Sequence, residues 1–95
     1  MRSVTLGSTR YKVRVVKDAQ RHRRARGVAT PDKLHGYIDP DKQDIVIEEA
    51  DAETMSATLF HECLHDAFPY LDEDVIRAAE DKLFPVLWWY GFRPF

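Results

Sequence analysis

The stretch Thr58-Leu59-Phe60-His61-Glu62-Cys63-Leu64-His65-Asp66 decides how the rest of the chain is read. Its two histidines stand four residues apart. At that spacing on an α-helix, side chains lie one above the other on a single face, so His61 and His65 can hold one metal ion between them. Neutral imidazoles suit Zn²⁺, although Fe²⁺ and Mn²⁺ also accept two histidines with a carboxylate. Glu62 sits about 100° round the helix from His61, where it can reach a water on that metal rather than the metal itself. A catalytic zinc needs a third protein donor and an open position as well. The competing reading is an exposed helix that carries two histidines by chance. The neighbours argue against it. Thr58, His65 and Phe68 fall within about 60° of His61, while Met55, Leu59, Phe60, Cys63 and Ala67 fill the broad arc beyond, which Leu64 extends to the edge of the strip. This pattern predicts a helix buried over most of its circumference, with a narrow polar strip. Cys63 points away from that strip and reads as a small buried hydrophobe.

Working outward, Asp51 has the character of an N-cap and Glu53 suits the positive end of the helix dipole, so the helix is expected over 52–68, with Pro69 stopping it. Asp72 opens a second helix over 72–90, in which Ile76, Ala79, Leu83 and Leu87 recur at helical spacing. Pro85 removes one backbone hydrogen bond and predicts a kink or a restart there. Trp88-Trp89-Tyr90, Phe92 and Phe95 form an aromatic tail, expected to pack back over the core. Upstream the pattern is that of strands. Ser3-Val4-Thr5-Leu6, a Gly7-Ser8 turn and Tyr11–Val16 predict a hairpin over 3–16, with Tyr11, Val13 and Val15 facing inward. Leu34–Asp39 and Gln43–Glu48, flanking Pro40-Asp41-Lys42, predict a second hairpin over 34–48. Strands followed by helices make this an α+β chain, with a small, mostly antiparallel sheet of two hairpins packed on two helices.

Ninety-five residues, 44% of them apolar and 32% charged, fit a single domain over 1–95 with one modest core. No apolar run approaches the ~20 residues of a membrane span, and Met1-Arg2 leads straight into alternating residues rather than a signal peptide. A lone cysteine cannot staple the fold, which points to a reduced, intracellular setting and no membrane partner. The charge is lopsided: residues 1–33 carry ten Lys/Arg against two Asp, and residues 34–95 carry four against fourteen Asp/Glu. Within a basic connection at about 17–33, Arg21, Arg23, Arg24 and Arg26 are candidates for contact with nucleic acid or an acidic partner, since guanidinium groups fork onto phosphate oxygens. The run can equally be a solvated connection, as a short helix or an exposed loop, because no aromatic residues interleave it for base stacking. His22 shows no partner at this level, and His35 reads as an ordinary strand residue.

These elements in this order resemble the small, often phage-encoded zincin-like proteins related to the ImmA/IrrE-type metallopeptidases. The resemblance rests on the opening hairpin with Tyr11-Lys12-Val13, on Gly36-Tyr37-Ile38-Asp39 leading into Ile45-Val46-Ile47, on the His61-Glu62-x-x-His65 helix, and on Leu71-Asp72-Glu73-Asp74 followed by Ile76, Leu83 and Leu87. It implies a minimal zincin-like fold, with the sheet beside the metal helix and an acidic third ligand from the next helix. The run from Glu73 to Glu80, with Ala78 and Ala79 in register, points to Glu73 as that ligand; Asp74 is adjacent and can substitute, and Asp72 is the cap. The longer metzincin signature does not fit, because Phe68 and Leu71 stand where its glycine and third histidine belong. The segment 20–27 is also longer and more charged than the equivalent connection in that family.

Two functions follow as expectations. One is a zinc metallopeptidase in the cytoplasm of a bacterial host, cleaving a peptide or protein substrate with Glu62 as general base. The alternative is a non-catalytic zinc-binding adaptor, or a virion- or nucleic-acid-associated protein, that keeps the fold and engages its partner through the basic run or the aromatic tail. An open coordination position distinguishes the enzyme from a closed structural site.

Overall fold

The computed structural model describes residues 2–25 and 35–95, and for residues 24 and 25 the backbone alone. The chain divides into two compact units, Met1–Glu49 and Ala50–Phe95. The architecture is α+β. Strands β1 (Arg2–Leu6), β2 (Thr9–Val16), β3 (Gly36–Asp39) and β4 (Asp44–Glu48) and helix α1 (Ala19–Ala25) belong to the first unit, and helices α2 (Ala52–Ala67) and α3 (Glu73–Trp89) to the second. No helix among the described residues is long and apolar enough to cross a membrane.

The first unit is a four-stranded sheet in the order β1-β2-β4-β3. β1 and β2 are antiparallel, joined by the two-residue turn Gly7-Ser8 with Leu6 opposite Thr9. Gly7 has φ +62, the conformation a primed hairpin turn requires at its first central position and one that costs glycine nothing. β3 and β4 pair antiparallel with Asp39 opposite Asp44. Their loop is held by Lys42 N–H donating to Asp39 Oδ1 at 3.2 Å and Gln43 N–H to the Pro40 carbonyl at 3.3 Å. Both expected hairpins are therefore present.

What joins them is a parallel pairing of β2 with β4, in register from Lys12 with Asp44 to Val16 with Glu48. Parallel strands need a crossover, and α1 lies within that connection, in contact with β3 and β4. The position of β4 explains its composition. As an interior strand covered on both faces, it buries Asp44, Ile45, Val46 and Ile47 consecutively instead of alternating. The buried Asp44 has the Arg14 Nε 3.2 Å from its Oδ1, which offsets the charge. Val15 corrects the expected inward set of Tyr11, Val13 and Val15. Tyr11 and Val13 are buried, but Val15 is 42% exposed: the pairing with β1 ends at Arg2–Val13, so among the described residues no β1 residue lies opposite the end of β2.

Of the two forms open to the basic run, its described part takes the helix. Asp18 opens α1 by accepting from Arg21 N–H at 2.9 Å, and the fully buried Ala19 donates its N–H to Glu48 Oε1 at 3.4 Å. His22, without a partner in the sequence reading, places Nδ1 2.5 Å from the Tyr37 hydroxyl. The Arg23 guanidinium stands over the Tyr37 ring at 5.3 Å. Arg21 is exposed, the Arg24 side chain and all of Arg26 lie outside the described residues, and His35 pairs Nδ1 with Glu48 Oε2 at 3.1 Å.

In the second unit, Asp51 caps α2 as its sequence predicts: Oδ1 accepts from Thr54 N–H at 2.7 Å and Oδ2 from Thr54 Oγ1 at 3.0 Å. From Met55 to Asp66 no residue of α2 is fully exposed, and Ser56, Leu59 and Glu62 are buried, so burial runs round most of the helix but is deep along one line only. Asp72 holds the cap position of α3 through its backbone, without a side-chain cap bond. α3 continues through Pro85 as one helix, so of the expected kink or restart the restart is absent. The missing proline N–H leaves the carbonyl of Asp81 unpaired within the helix, and both residues are exposed where water can serve. The buried Phe84 anchors this turn, with ring centroids 6.3 Å from Phe60, 5.9 Å from Trp88 and 6.3 Å from Phe92. Thus Trp88 and Phe92 pack inward, whereas Trp89 and Tyr90 are 81% and 84% exposed.

The Asp51 cap yields a pH-dependent expectation. The bonds from Thr54 hold its carboxyl below the ordinary 3.8, against a small opposing effect of desolvation. A depressed carboxylate stabilises the fold fully above its unfolded value and loses that effect as pH falls through the lower folded value. The melting-temperature gap between wild type and Asp51→Ala should be largest at neutral pH and shrink below about pH 4. A gap that widens on acidification would show that the cap bond is not what Asp51 contributes.

Candidate metal centre

The helical register of α2 and α3 brings three donor groups to one point. His61 Nε2 is 3.1 Å from His65 Nε2 and 2.9 Å from Glu73 Oε1, and His65 Nε2 is 2.7 Å from Glu73 Oε2. Tetrahedral zinc with bonds of about 2.0–2.1 Å has ligand–ligand edges of about 3.3 Å, so these separations, with the two to Glu73 made to different oxygens, must open by about 0.2–0.6 Å around the ion. The imidazole rings meet edge-on at 4.8 Å between centroids, as expected of side chains one helical turn apart. His61, His65 and Glu73 are the one group among the described residues whose ligand atoms converge in this way, all within 4.8 Å. Asp74, the alternative third donor, is exposed and outside the group, because on a helix it diverges from Glu73 by about 100°. The residues present fit a zinc ion.

A residue that the sequence reading left without a role completes the arrangement. Glu80 Oε1 lies 2.7 Å from His61 Nδ1. Glu73 and Glu80 are seven residues apart, two helical turns, so α3 presents both to α2 on one face. A carboxylate that accepts a hydrogen bond from Nδ1–H fixes the tautomer of His61 and leaves Nε2 with its lone pair aimed at the common point. The signal for Glu80 was the seven-residue spacing itself, but nothing in the sequence indicates which histidine it meets.

Electrostatics favours an ionised Glu73. Burial works to raise its pKa, but His61 and His65, with hydrogen bonds from His65 and Arg77, outweigh it and hold the carboxyl below its usual range. Arg77 contributes from the next turn, its Nε donating to Glu73 Oε1 at 3.3 Å. Glu62, the candidate base, is 7% exposed on α2. Beside it Cys63 is a half-buried thiol, pushed up to about 11 by burial and then by the charges of Asp66 and Glu62, which makes it a neutral packing group at neutral pH.

No known protein family matches the chain, and no curated protein or solved structure is significantly similar to it.

The role of Glu80 can be measured directly. Glu80→Ala frees the His61 ring and its tautomer, so zinc affinity should fall about 10–100-fold, as for other carboxylates that orient a histidine ligand. Competition against a chromophoric chelator would read it. Unchanged affinity would reduce Glu80 to a surface partner of His61.

Proposed function

We propose that the chain is a zinc metallopeptidase of minimal zincin-like fold, related to the ImmA/IrrE-type enzymes that its sequence resembles. The observation that carries the reading is the convergence of His61 Nε2 and His65 Nε2, from the helix that also bears Glu62, with the Glu73 carboxylate of α3. Three donors of this kind form the set of a catalytic zinc, which keeps its remaining position for water or substrate. Bound there, zinc supplies Lewis acidity for a peptide carbonyl and eases the deprotonation of water. Glu80 holds the His61 tautomer, Arg77 steadies Glu73, and Glu62 takes a proton from the attacking water. As the C–N bond breaks, Glu62 returns that proton to the leaving amine, so water adds across the peptide bond and nothing else is consumed.

The test is to incubate the zinc-loaded chain with a complex peptide mixture and follow new termini by mass spectrometry. Peptides that disappear with zinc and persist with chelator or with Glu62→Gln support the reading. Zinc bound tightly with no cleavage in any mixture would favour the adaptor, for which the exposed Trp89 and Tyr90 offer a contact surface.

A further inference from the structure

We propose that Arg77 is the anchor for a substrate carboxylate at this centre, an inference that rests on the peptidase reading and gives it a substrate class. Arg77 engages Glu73 through Nε alone, at 3.3 Å, and its side chain is 69% exposed. Pairing through Nε leaves the terminal Nη groups, a fork that matches a carboxylate bidentately, on a largely exposed side chain one helical turn from Glu73. An arginine serving only as a partner for Glu73 would gain more by presenting that fork to it.

The charge around the site makes this placement consequential. Residues 50–95 contain three basic side chains, Arg77, Lys82 and Arg93. Arg93 is spent at the end of α3, its guanidinium 3.5 Å from the Trp88 ring centroid and its Nη1 donating to the Trp88 carbonyl. Lys82 is exposed and falls about 180° round α3 from Glu73, whereas Arg77 falls within about 40° of it. A divalent ion set against the carboxylates of Glu62, Glu73 and Glu80 leaves a net negative site, which repels an anionic substrate. Among the described residues of α3, Arg77 is the one cation on the face that carries Glu73, and it offsets this charge. The chemistry recognised is a carboxylate one residue or so from the scissile bond, supplied by the C-terminus of a peptide or by an acidic side chain.

The experiment uses the zinc-loaded full chain carrying Glu62→Gln, so that binding is read without turnover. The probes are a short alanine peptide with a free C-terminal carboxylate, the same peptide as its C-terminal amide, and that amide with glutamate as its last residue. Binding is followed by calorimetry and by the shift of the Arg77 Nε–H resonance. The acid should bind at least tenfold more tightly than the plain amide. With zinc kept well above the dissociation constant of each variant, adding Arg77→Ala should erase that preference, and Arg77→Lys should restore only part of it. Tight binding of the glutamate-ended amide assigns the carboxylate to a side chain, and its failure to bind assigns it to the terminus. Equal affinity for acid and amide, no binding of the acid at millimolar concentration, or an Arg77→Ala effect of the same size on both would overturn the proposal. The peptidase reading fails separately: if wild type cleaves none of these peptides while Glu62→Gln still discriminates among them, the carboxylate site stands and the chemistry assigned to Glu62 does not.

Discussion

Saturating zinc is expected to raise the melting temperature of this chain by on the order of 10 °C or more, and His65→Ala to abolish the rise. The donors stand on two helices, His61 and His65 on α2 and Glu73 on α3, so the metal cross-links elements that separate on unfolding. A ligand that binds only the folded state adds RT ln(1 + [L]/Kd), about 4 kcal/mol at a thousandfold excess over Kd. In a chain of this size each kcal/mol moves the midpoint by about 4–8 °C. Zinc titrations also separate the two acidic neighbours. Glu73→Ala should weaken binding by at least about tenfold, since it removes a group within 2.9 Å of both imidazoles, while Asp74→Ala should leave affinity nearly intact. Affinity should also fall on acidification, because metal ligands must be deprotonated to bind. A melting curve indifferent to zinc and chelator would dispose of the metal centre. Damage confined to Asp74→Ala would place the third donor one residue along α3.

The second large effect concerns Glu62. With a peptide that wild type cleaves, Glu62→Gln should lower kcat by about 10²–10⁴, the usual contribution of a positioned general base, and leave zinc affinity within a few-fold of wild type. The amide is nearly isosteric with the buried carboxylate, so the fold is kept and the proton acceptor alone is lost. The pairing of results is what discriminates. A variant that loses zinc and turnover together would make Glu62 a structural residue of α2. One that keeps both would move the base elsewhere.

Much of this was legible because the relevant physics is local. A four-residue spacing suffices to bring His61 and His65 together, and Asp51 announces a helix start by its own side chain. The seven-residue step from Glu73 to Glu80 was equally visible, yet its meaning depends on how α3 lies against α2, which no single helix encodes. The same limit applied to the sheet. Ile45-Val46-Ile47 was readable as a strand, but the continuous apolar run that marks burial on both faces does not name its parallel neighbour. Pro85 shows the reverse limit, since no restart occurs there. Its local penalty is real, but a helix side open to water absorbs it while Phe84 holds the turn.

The parallel register of Lys12 with Asp44 has a kinetic consequence. That pairing cannot begin until thirty-one intervening residues have been brought round, whereas α2 and α3 meet across a short turn between Phe68 and Asp72. Loop closure over such a span must be completed before any contact rewards it, and sheets joined in this way are slow relative to helical hairpins. The helical pair bearing the donor triangle is thus poised to assemble first, so the proposed metal site can form while the paired edges of β2 and β4 are still searching for each other.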